Sequence, residues 1–384
     1  MAAKRIIYLT LLAILAWSPC PALAVEGSPW IVGILGALTG PKAIYGKPHL
    51  QGASLAAAEV NAAGGIDGTP LEIVAVDDGG EMGRVGDLMT RLIYDRNAVA
   101  VVGSVDSGCT HVAAMLAVKA HVPHLTCVAT DPSLTRAGSP WTFRTLADDD
   151  RQAAALVEWL WGRGLRRISL LAGESRYGRM GARIFARRFR EKGGEVTGPV
   201  FMAATETSAS NAVRDADTGR AQAAVLWMLA PEGRLAAAAL RRSGFAGIVA
   251  GGDGLASPAF YGSGDRAVDG VVVTCPYVAG AETPENTAFR RAYEAAYGEP
   301  ADSFAAHAYD TVKLLASAAS AIAAADRREP ATAREALRNI LANISLFRGV
   351  TGDIAFDASG NDVRDVRLAV CRGGALEPMR AGER

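Results

Sequence analysis

The sequence predicts an α/β protein made of two similar doubly wound lobes with a ligand cleft between them. Short apolar strands alternate with helical segments along most of the chain, which is typical of parallel sheets covered by helices. The strands are continuous apolar runs, as expected when helices cover both faces of a sheet. The pattern also occurs twice, because 31–46 and 168–178 each contain a strand, a Gly-containing loop and a Tyr-Gly pair that opens a helix.

The first round predicts four strands separated by three helices. The strands are Ile31–Leu35, Leu71–Val76, Val99–Val102 and Val122–Thr126, and the helices are Lys47–Ala63, Glu81–Arg96 and Cys109–Ala120. The second of these helices has the clearest pattern, because apolar residues recur from Val85 at i, i+3, i+4, i+7 and i+8.

The second round predicts a helix ending near Trp161 and five further strands, and three helices and two final strands complete the chain. The five strands are Arg167–Ala172, Val196–Met202, Ala223–Leu229, Gly247–Ala250 and Val271–Cys275. The later helices are Glu285–Tyr297, Ser303–Ala325 and Thr332–Asn343, and the final strands are Asp353–Phe356 and Val366–Val370.

The composition is that of a globular chain without a nucleic-acid partner. Its 384 residues are enough for two domains, and 50% of them are hydrophobic, so a sizeable core is expected. Forty Lys and Arg residues balance forty Asp and Glu residues. A nucleic-acid binder would show a basic excess, which this chain lacks.

The first 24 residues predict a secretory signal peptide. Lys4 and Arg5 precede an apolar run, 6–17, and a small-residue cleavage site follows at Ala22-Leu23-Ala24. The run is shorter than the ~20 residues that cross a bilayer. We therefore expect cleavage after Ala24 and a mature protein in the periplasm.

The sequence contains two segments that are similar to enzyme motifs but lack the required spacing. Gly33, Gly36 and Gly40 follow the first strand, but their spacing differs from that of a dinucleotide-binding loop. Gly173, Ser175 and Gly178 miss the spacing of a hydrolase nucleophile elbow by one residue. The chain therefore predicts no enzyme and no cofactor.

A cluster of Cys and His residues between 109 and 127 suggests zinc, but helix geometry argues against it. His111 and His121 are ten residues apart, which is roughly 15 Å along a helix, so they cannot share one tetrahedral ion. No metal site is expected. Cys109 and Cys127 are both predicted at the carboxyl edge of the sheet, where a disulfide is one possibility in an oxidising compartment and two buried thiols are the other.

Polar residues follow the strands of both lobes, at the edge where doubly wound sheets bind ligands. Ser107 and Thr130 follow strands of the first lobe, and hydroxyls at helix N-termini suit a carboxylate. Asp253 lies in a Gly-rich loop of the second lobe and suits an ammonium. These residues would hold a zwitterion across the cleft; as an alternative, Ser107 and Thr130 are helix caps and Asp253 is a turn residue.

An ordered set of motifs over nearly the whole mature chain resembles the leucine/isoleucine/valine-binding proteins of ABC transporters. The motifs are Leu38-Thr39-Gly40-Pro41, Tyr45-Gly46, Glu59-Val60-Asn61-Ala62-Ala63-Gly64-Gly65-Ile66, Asp77-Asp78, Ala129-Thr130, Phe143-Arg144-Thr145, Tyr177-Gly178, Gly251-Gly252-Asp253-Gly254, Tyr309-Asp310 and Gly352-Asp353-Ile354.

The resemblance implies a type I periplasmic binding protein whose lobes are joined by three hinge crossings, near Ala147, Cys275 and Arg348. The first lobe would then comprise 25–147 and 276–347, and the second 148–275 and 348–384. Such a protein is a monomer that captures a small polar metabolite, most often an amino acid, and delivers it to permease subunits in the inner membrane. Sensing for a separate signalling partner, or an aromatic acid, amide or urea as ligand, are the alternatives.

The resemblance also assigns roles to residues of the cleft. Ser107, Val128 and Thr130 match the positions that hold the ligand carboxylate, with Ala129 between the last two. Asp253 matches the ammonium partner, assisted by the carbonyl of Val128. The positions of Tyr45, Tyr177 and Phe304 match aromatic residues that close over the ligand.

Three positions depart from the pattern that the resemblance provides. Leu229 stands where the branched-chain binders have Tyr, and Asp253 is one methylene shorter than their Glu. Asp106 stands where they have one half of a disulfide, and the partner position near Gly80 has no Cys. Each change alters the pocket wall, so a ligand side chain other than that of Leu, Ile or Val is expected to be possible.

Overall fold

The computed structural model describes residues 28–136, 139–262, 264–277, 279–280 and 283–379. The predicted signal peptide and its cleavage site after Ala24 lie outside the described residues. Among those that are described, no helix is both long enough and apolar enough to span a membrane.

The strands among the described residues form two large sheets and a small hairpin. They are β1 (Trp30–Gly36), β2 (Leu71–Asp77), β3 (Ala100–Gly103), β4 (His124–Thr126), β5 (Thr142–Arg144), β6 (Arg167–Gly173), β7 (Glu195–Met202), β8 (Ala223–Trp227), β9 (Ile248–Gly251), β10 (Val272–Cys275), β11 (Phe347–Gly349), β12 (Gly352–Ile354), β13 (Arg367–Arg372) and β14 (Ala375–Pro378). The first sheet has the order β2-β1-β3-β4-β5 and is parallel throughout. The second has the order β14-β13-β10-β9-β8-β6-β7, and only β13 and β14 are antiparallel to their neighbours.

The α-helices of the described residues cover both faces of these sheets. They are α1 (Ala43–Ala62), α2 (Val85–Thr90), α3 (Ser107–Ala120), α4 (Ser133–Arg136), α5 (Asp149–Gly162), α6 (Arg176–Glu191), α7 (Glu206–Asp215), α8 (Ala230–Arg242), α9 (Pro258–Tyr261), α10 (Pro284–Tyr297), α11 (Ser303–Ser320) and α12 (Pro330–Ala342). The mixed α/β class and the predicted strand–helix alternation are confirmed. Helix α11 packs against α1 although about 250 residues separate the two along the chain, so the chain returns to its first lobe after it has formed the second.

Polar side chains that accept backbone N–H groups fix where the helices of the cleft begin. The Asp106 carboxylate accepts from the N–H groups of Gly108 and Cys109, which starts α3. Ser175 does the same for Gly178 at the start of α6. These caps satisfy donors that have no partner inside the helix and hold the helix N-termini at the strand ends.

Helix α11 ends earlier than the sequence pattern predicts, at Ser320 rather than Ala325. The guanidinium of Arg327 folds back and donates to the carbonyls of Ser320 and Ile322. Because these bonds satisfy carbonyls that a continuing helix would have used, they favour the turn that follows.

The predicted assignment of residues 348–384 to the second lobe is wrong over its first part. Asp310 of α11 accepts from the N–H groups of Val350 and Thr351, which ties the β11–β12 hairpin to the first lobe. Ile354 is buried in the core of the first sheet, and Asn361 forms a bridge with Arg144 at the end of β5. The third crossing therefore lies between Asn361 and the start of β13, later than the predicted position near Arg348. The crossings near Ala147 and Cys275 stay predictions.

Of the two alternatives for Cys109 and Cys127, the structure shows free, buried thiols and not a disulfide. Cys109 packs in a cluster with Leu35, while Cys127 packs in a cluster with Ile34. Successive strand residues point to opposite faces of a sheet, so the two thiols lie on opposite sides of it. Burial raises the pKa of Cys127 to about 12 and keeps it a neutral thiol.

Candidate ligand-binding cleft

The loops that follow the strands of both sheets form one cavity between the sheets. Each sheet reverses its winding direction at one point, between β1 and β3 in the first and between β6 and β8 in the second. At such a switch point the loops on either side separate and leave a crevice at the carboxyl edge. The cavity lies where the two crevices face each other.

Twelve residues of the described chain line this cavity, which encloses about 460 Å³ including its mouth. From the first sheet come Lys42, Tyr45, Val105, Asp106, Ser107 and Val128, together with Phe304 of α11; from the second come Ser175, Tyr177, Leu229, Asp253 and Gly254. Predicted site residues on the lining are Tyr45, Ser107, Val128, Tyr177, Leu229, Asp253 and Phe304.

Two side chains hold the Asp253 carboxylate in place. The Tyr177 hydroxyl donates to Asp253 Oδ1 at 2.9 Å and accepts from the N–H of Gly254 at 2.9 Å. The Gln152 amide also hydrogen-bonds Asp253, and its own carbonyl accepts from Thr274. Burial raises the pKa of Asp253 to about 6, which the bonds to Gln152 and Tyr177 partly offset. At neutral pH most of the Asp253 carboxylate is therefore ionised, although its pKa lies close to neutrality. An approaching cation would stabilise the charge.

Glycines next to Asp253 allow this arrangement. A Cβ at position 252 would lie 2.6 Å from the Tyr177 hydroxyl, and one at position 254 would lie 2.7 Å from the same ring. Both distances are shorter than van der Waals contact permits. The Gly-rich sequence around Asp253 thus lets the ring of Tyr177 pack directly on the loop backbone.

The first sheet presents polar groups that have no partner within the described part of the chain. Ser107 lies at the first position of α3, is 4% exposed, and makes no hydrogen bond there. The carbonyl and N–H of Val128 are equally free on the cavity wall. Free N–H and hydroxyl groups at a helix N-terminus are suited to bind an anion.

Thr130 lies behind this wall, not on the lining, and is 1% exposed. Its carbonyl accepts from the N–H of Asp149 and from the Arg144 guanidinium, while Oγ1 has no partner with hydrogen-bond geometry among the described residues. The hydroxyl nevertheless lies close enough to the Asp149 carboxylate to lower the pKa of that carboxyl. Its predicted ligand contact stays a prediction.

Ala129 also lies behind the cavity lining and is 2% exposed, and its predicted place at the ligand stays a prediction. Its N–H donates to Thr126 Oγ1, and that hydroxyl also reaches the Ala129 carbonyl. Both backbone groups of Ala129 are thereby used in a local turn, and its methyl packs with Leu134. Ala129 therefore supports the bend of the loop.

Asp149 is a charged residue of this region that the sequence patterns did not single out. It is fully buried at the start of α5, and both carboxylate oxygens lack a partner with good geometry in the described part of the protein. Burial and the nearby Asp253 raise its pKa well above the ordinary value. Its place in an acidic run, Asp148-Asp149-Asp150, looked like a plain helix start, so the sequence carried no signal of this burial.

Tyr45 links the two sheets across the cavity mouth. Its hydroxyl donates to the carbonyl of Gly254 at 3.2 Å and accepts from the N–H of Ala230 at 2.7 Å. Its ring meets Phe304 edge-on, with ring centroids 4.9 Å apart. The first-lobe side chain is therefore buried in the core of the second lobe, and together with Leu229 it supplies apolar surface to the cavity.

An ion pair at the side of the first sheet was also missed by the sequence patterns. Lys42 Nζ lies 2.5 Å from Asp106 Oδ2, and both residues line the cavity. Asp106 follows a predicted strand and opens a helix, but nothing in the sequence pairs it with a lysine, and a lysine between Pro41 and Tyr45 is an ordinary loop residue. Only the fold brings the loops after β1 and β3 together.

The fold and the cleft define a two-lobed ligand-binding protein, and comparison with known families agrees. Residues 29–375 match the family model described as periplasmic binding protein, so the chain belongs to that family. It is 29% identical to the Leu/Ile/Val-binding protein BraC3 of Rhizobium johnstonii over 90% of this chain and 93% of that one. It is 26% identical to the leucine-, isoleucine-, valine-, threonine- and alanine-binding protein of Pseudomonas aeruginosa, over 86% of each chain.

Solved structures give the same architecture. The branched-chain amino acid substrate-binding protein LivJ of Streptococcus pneumoniae, in complex with isoleucine, superposes with a TM-score of 0.80 at 27% identity and covers 92% of this chain and 100% of its own. A solute-binding protein from R. palustris in complex with benzoate also has a TM-score of 0.80, at 23% identity, covering 92% of this chain and 96% of that one. At that identity the second likeness shows the fold alone.

Proposed function

We propose that this protein captures an α-amino acid in the periplasm and delivers it to the membrane permease of an ABC importer. The ligand lies between the lobes, with its carboxylate on the first and its ammonium on the second. The relatives that bind branched-chain amino acids support this class of ligand. The chain acts as a monomeric receptor and not as an enzyme, after a signal peptide is removed behind Ala24.

The proposal rests on one observation: one wall of the cavity carries a group that suits a cation, and the opposite wall carries groups that suit an anion. Asp253 is a buried carboxylate oriented by Tyr177, and it faces the same cavity as Ser107, the first residue of α3. A carboxylate buried without a cation is costly, and an ammonium group compensates it. A zwitterion satisfies both walls at once, so it binds the closed arrangement better than the open one and shifts the equilibrium between them.

The test is calorimetry on Asp253→Asn, which keeps the shape and removes the charge. We expect the variant to lose at least about 100-fold in affinity for an α-amino acid, because a charged hydrogen bond inside a low-dielectric site is removed. The matched control is Asp265→Asn, a change at a partly exposed residue of the same lobe that does not line the cavity, which leaves affinity unchanged.

A second titration uses the corresponding 2-hydroxy or unsubstituted acid, which lacks the amine. Such a ligand should bind weakly to the wild type and no worse to Asp253→Asn. Equal loss for both ligand types would show that Asp253 supports the fold and does not meet an ammonium group.

A further inference from the structure

The side of the cavity that belongs to the first sheet carries a charge pair at its surface. Lys42 Nζ lies 2.5 Å from Asp106 Oδ2, with the side chains 27% and 13% exposed. Each comes from a different loop, Lys42 from the one after β1 and Asp106 from the one after β3. Val105 and Phe304 of the first lobe and Leu229 of the second add apolar surface to the same cavity, and Ser107 is a further polar residue of its lining.

The two oxygens of Asp106 have separate tasks. Oδ1 caps α3 by accepting from the N–H groups of Gly108 and Cys109, at 2.9 and 3.0 Å. Oδ2 accepts from Lys42, and the Cys109 thiol also lies near this carboxylate, which raises the pKa of that thiol. One carboxylate oxygen thus fixes the helix, and the other remains at the cavity with room for a second donor, because a carboxylate oxygen accepts more than one hydrogen bond.

Lys42 in turn keeps donors available. An ammonium group has three N–H donors, and within the described chain one of them is used, on Asp106. The lysine reaches this position because Gly80 has no side chain: a Cβ there would lie 2.9 Å from Lys42 Cδ and 3.3 Å from Nζ. The placement depends on a lysine, an aspartate and a glycine acting together.

We infer that the ligand is an amino acid whose side chain ends in a carboxamide, with the amide oxygen on Lys42 and the amide N–H group on Asp106. This rests on the proposed function, since it names the side chain of the amino acid bound there. A carboxamide is neutral and carries one acceptor and two donors, which matches an adjacent cation and anion. The apolar residues beside the pair cover the methylene groups.

Two other side-chain classes fit this wall less well. An aliphatic side chain would remove water from the Lys42–Asp106 pair without replacing its hydrogen bonds, which is unfavourable. An acidic side chain would bring a second negative charge next to Asp106. Glu232 of α8 lies close enough to Lys42 for the lysine charge to lower the pKa of its carboxyl, although burial raises that pKa overall, so a ligand carboxylate would compete with a second acid for the same lysine.

The test compares L-glutamine, L-leucine and L-glutamate by calorimetry on the wild type and on Lys42→Met. The wild type should bind glutamine at least about tenfold more tightly than either of the others, the range expected for one hydrogen bond to a charged group. Lys42→Met should remove this preference by weakening glutamine and leaving leucine unchanged or tighter. Lys47→Met, an exposed lysine of α1, is the control and should leave all three affinities as in the wild type.

The remaining outcomes separate this inference from the proposed function. Leucine binding as tightly as glutamine to the wild type, or glutamate binding most tightly, overturns the carboxamide assignment and leaves amino-acid binding in place. If Lys42→Met weakens the binding of leucine and glutamine equally, the lysine contacts the α-carboxylate, and the carboxamide assignment is overturned as well. Failure of all three amino acids to bind a wild-type protein that melts cooperatively contradicts the proposed function itself.

Discussion

The chemistry of the cleft depends on how Asp253 ionises. Its pKa of about 6 results from burial, and burial raises the pKa of Tyr177, Tyr45 and Cys275 further above neutrality. Burial and the charge of Asp253 also raise the pKa of Asp149 well above its ordinary value. A ligand ammonium binds the ionised form. Protonation of Asp253 therefore competes with ligand.

This competition predicts a pH dependence of amino-acid affinity. Affinity should be nearly constant between pH 7 and 8 and should fall about tenfold per unit below about pH 6, since one proton must be displaced. The measurement is calorimetry across this range on the wild type and on Asp253→Asn. The variant should bind weakly at every pH with no break near 6; a break that persists in it would assign the proton to another group.

At the scale of elements, the strand–helix order could be predicted from the sequence because apolar runs and helical periodicity are local signals. The short strand β5 and the position of the third crossing could not be predicted in this way. For the crossing the reason is that Ile354 and Asn361 show no local sign of which sheet they pack on. Ser107 and Asp253 could be placed in the cleft because they follow strands. Lys42 and Asp149 could not, because their roles arise from neighbours distant along the chain.

The link between α1 and the second lobe predicts a stability effect at this scale. Tyr45→Phe removes the hydroxyl that accepts from Ala230 N–H, leaving a buried donor without a partner. The free energy of unfolding should fall by about 1–3 kcal/mol, measured by urea denaturation with intrinsic fluorescence. Tyr94→Phe, which changes a ring that is 63% exposed, is the matched control and should not differ from the wild type. If the free energy of unfolding of Tyr45→Phe equals that of the wild type, water has replaced the hydroxyl as the partner of the Ala230 N–H.

For the molecule as a whole, closure brings charges of the two lobes together at the rim of the cleft. Arg176 Nε, at the start of α6, lies 2.6 Å from Asp131 Oδ2 on the first lobe, and its guanidinium also reaches Ser133 Oγ at 3.3 Å. The Asp131 side chain is fully buried in this arrangement, while Arg176 is 39% exposed. The pair contributes to the closed form and not to the cavity lining.

Removing this contact should weaken every ligand by the same factor. Arg176→Gln shifts the equilibrium towards the open form, so affinities for different amino acids should fall together by a few-fold and their ratios should not change. Arg179→Gln is the control, because Arg179 bonds within its own lobe, to the carbonyl of Glu174. A change in ligand preference in Arg176→Gln would contradict a role limited to closure.

The most direct test of the account is a crystal structure of the protein with a bound amino acid. The account predicts that the ligand nitrogen lies within hydrogen-bond distance of the Asp253 carboxylate, while the ligand carboxylate meets the N-terminus of α3 at Ser107. An amino acid held entirely by one lobe, or bound with its carboxylate towards Asp253, would contradict it.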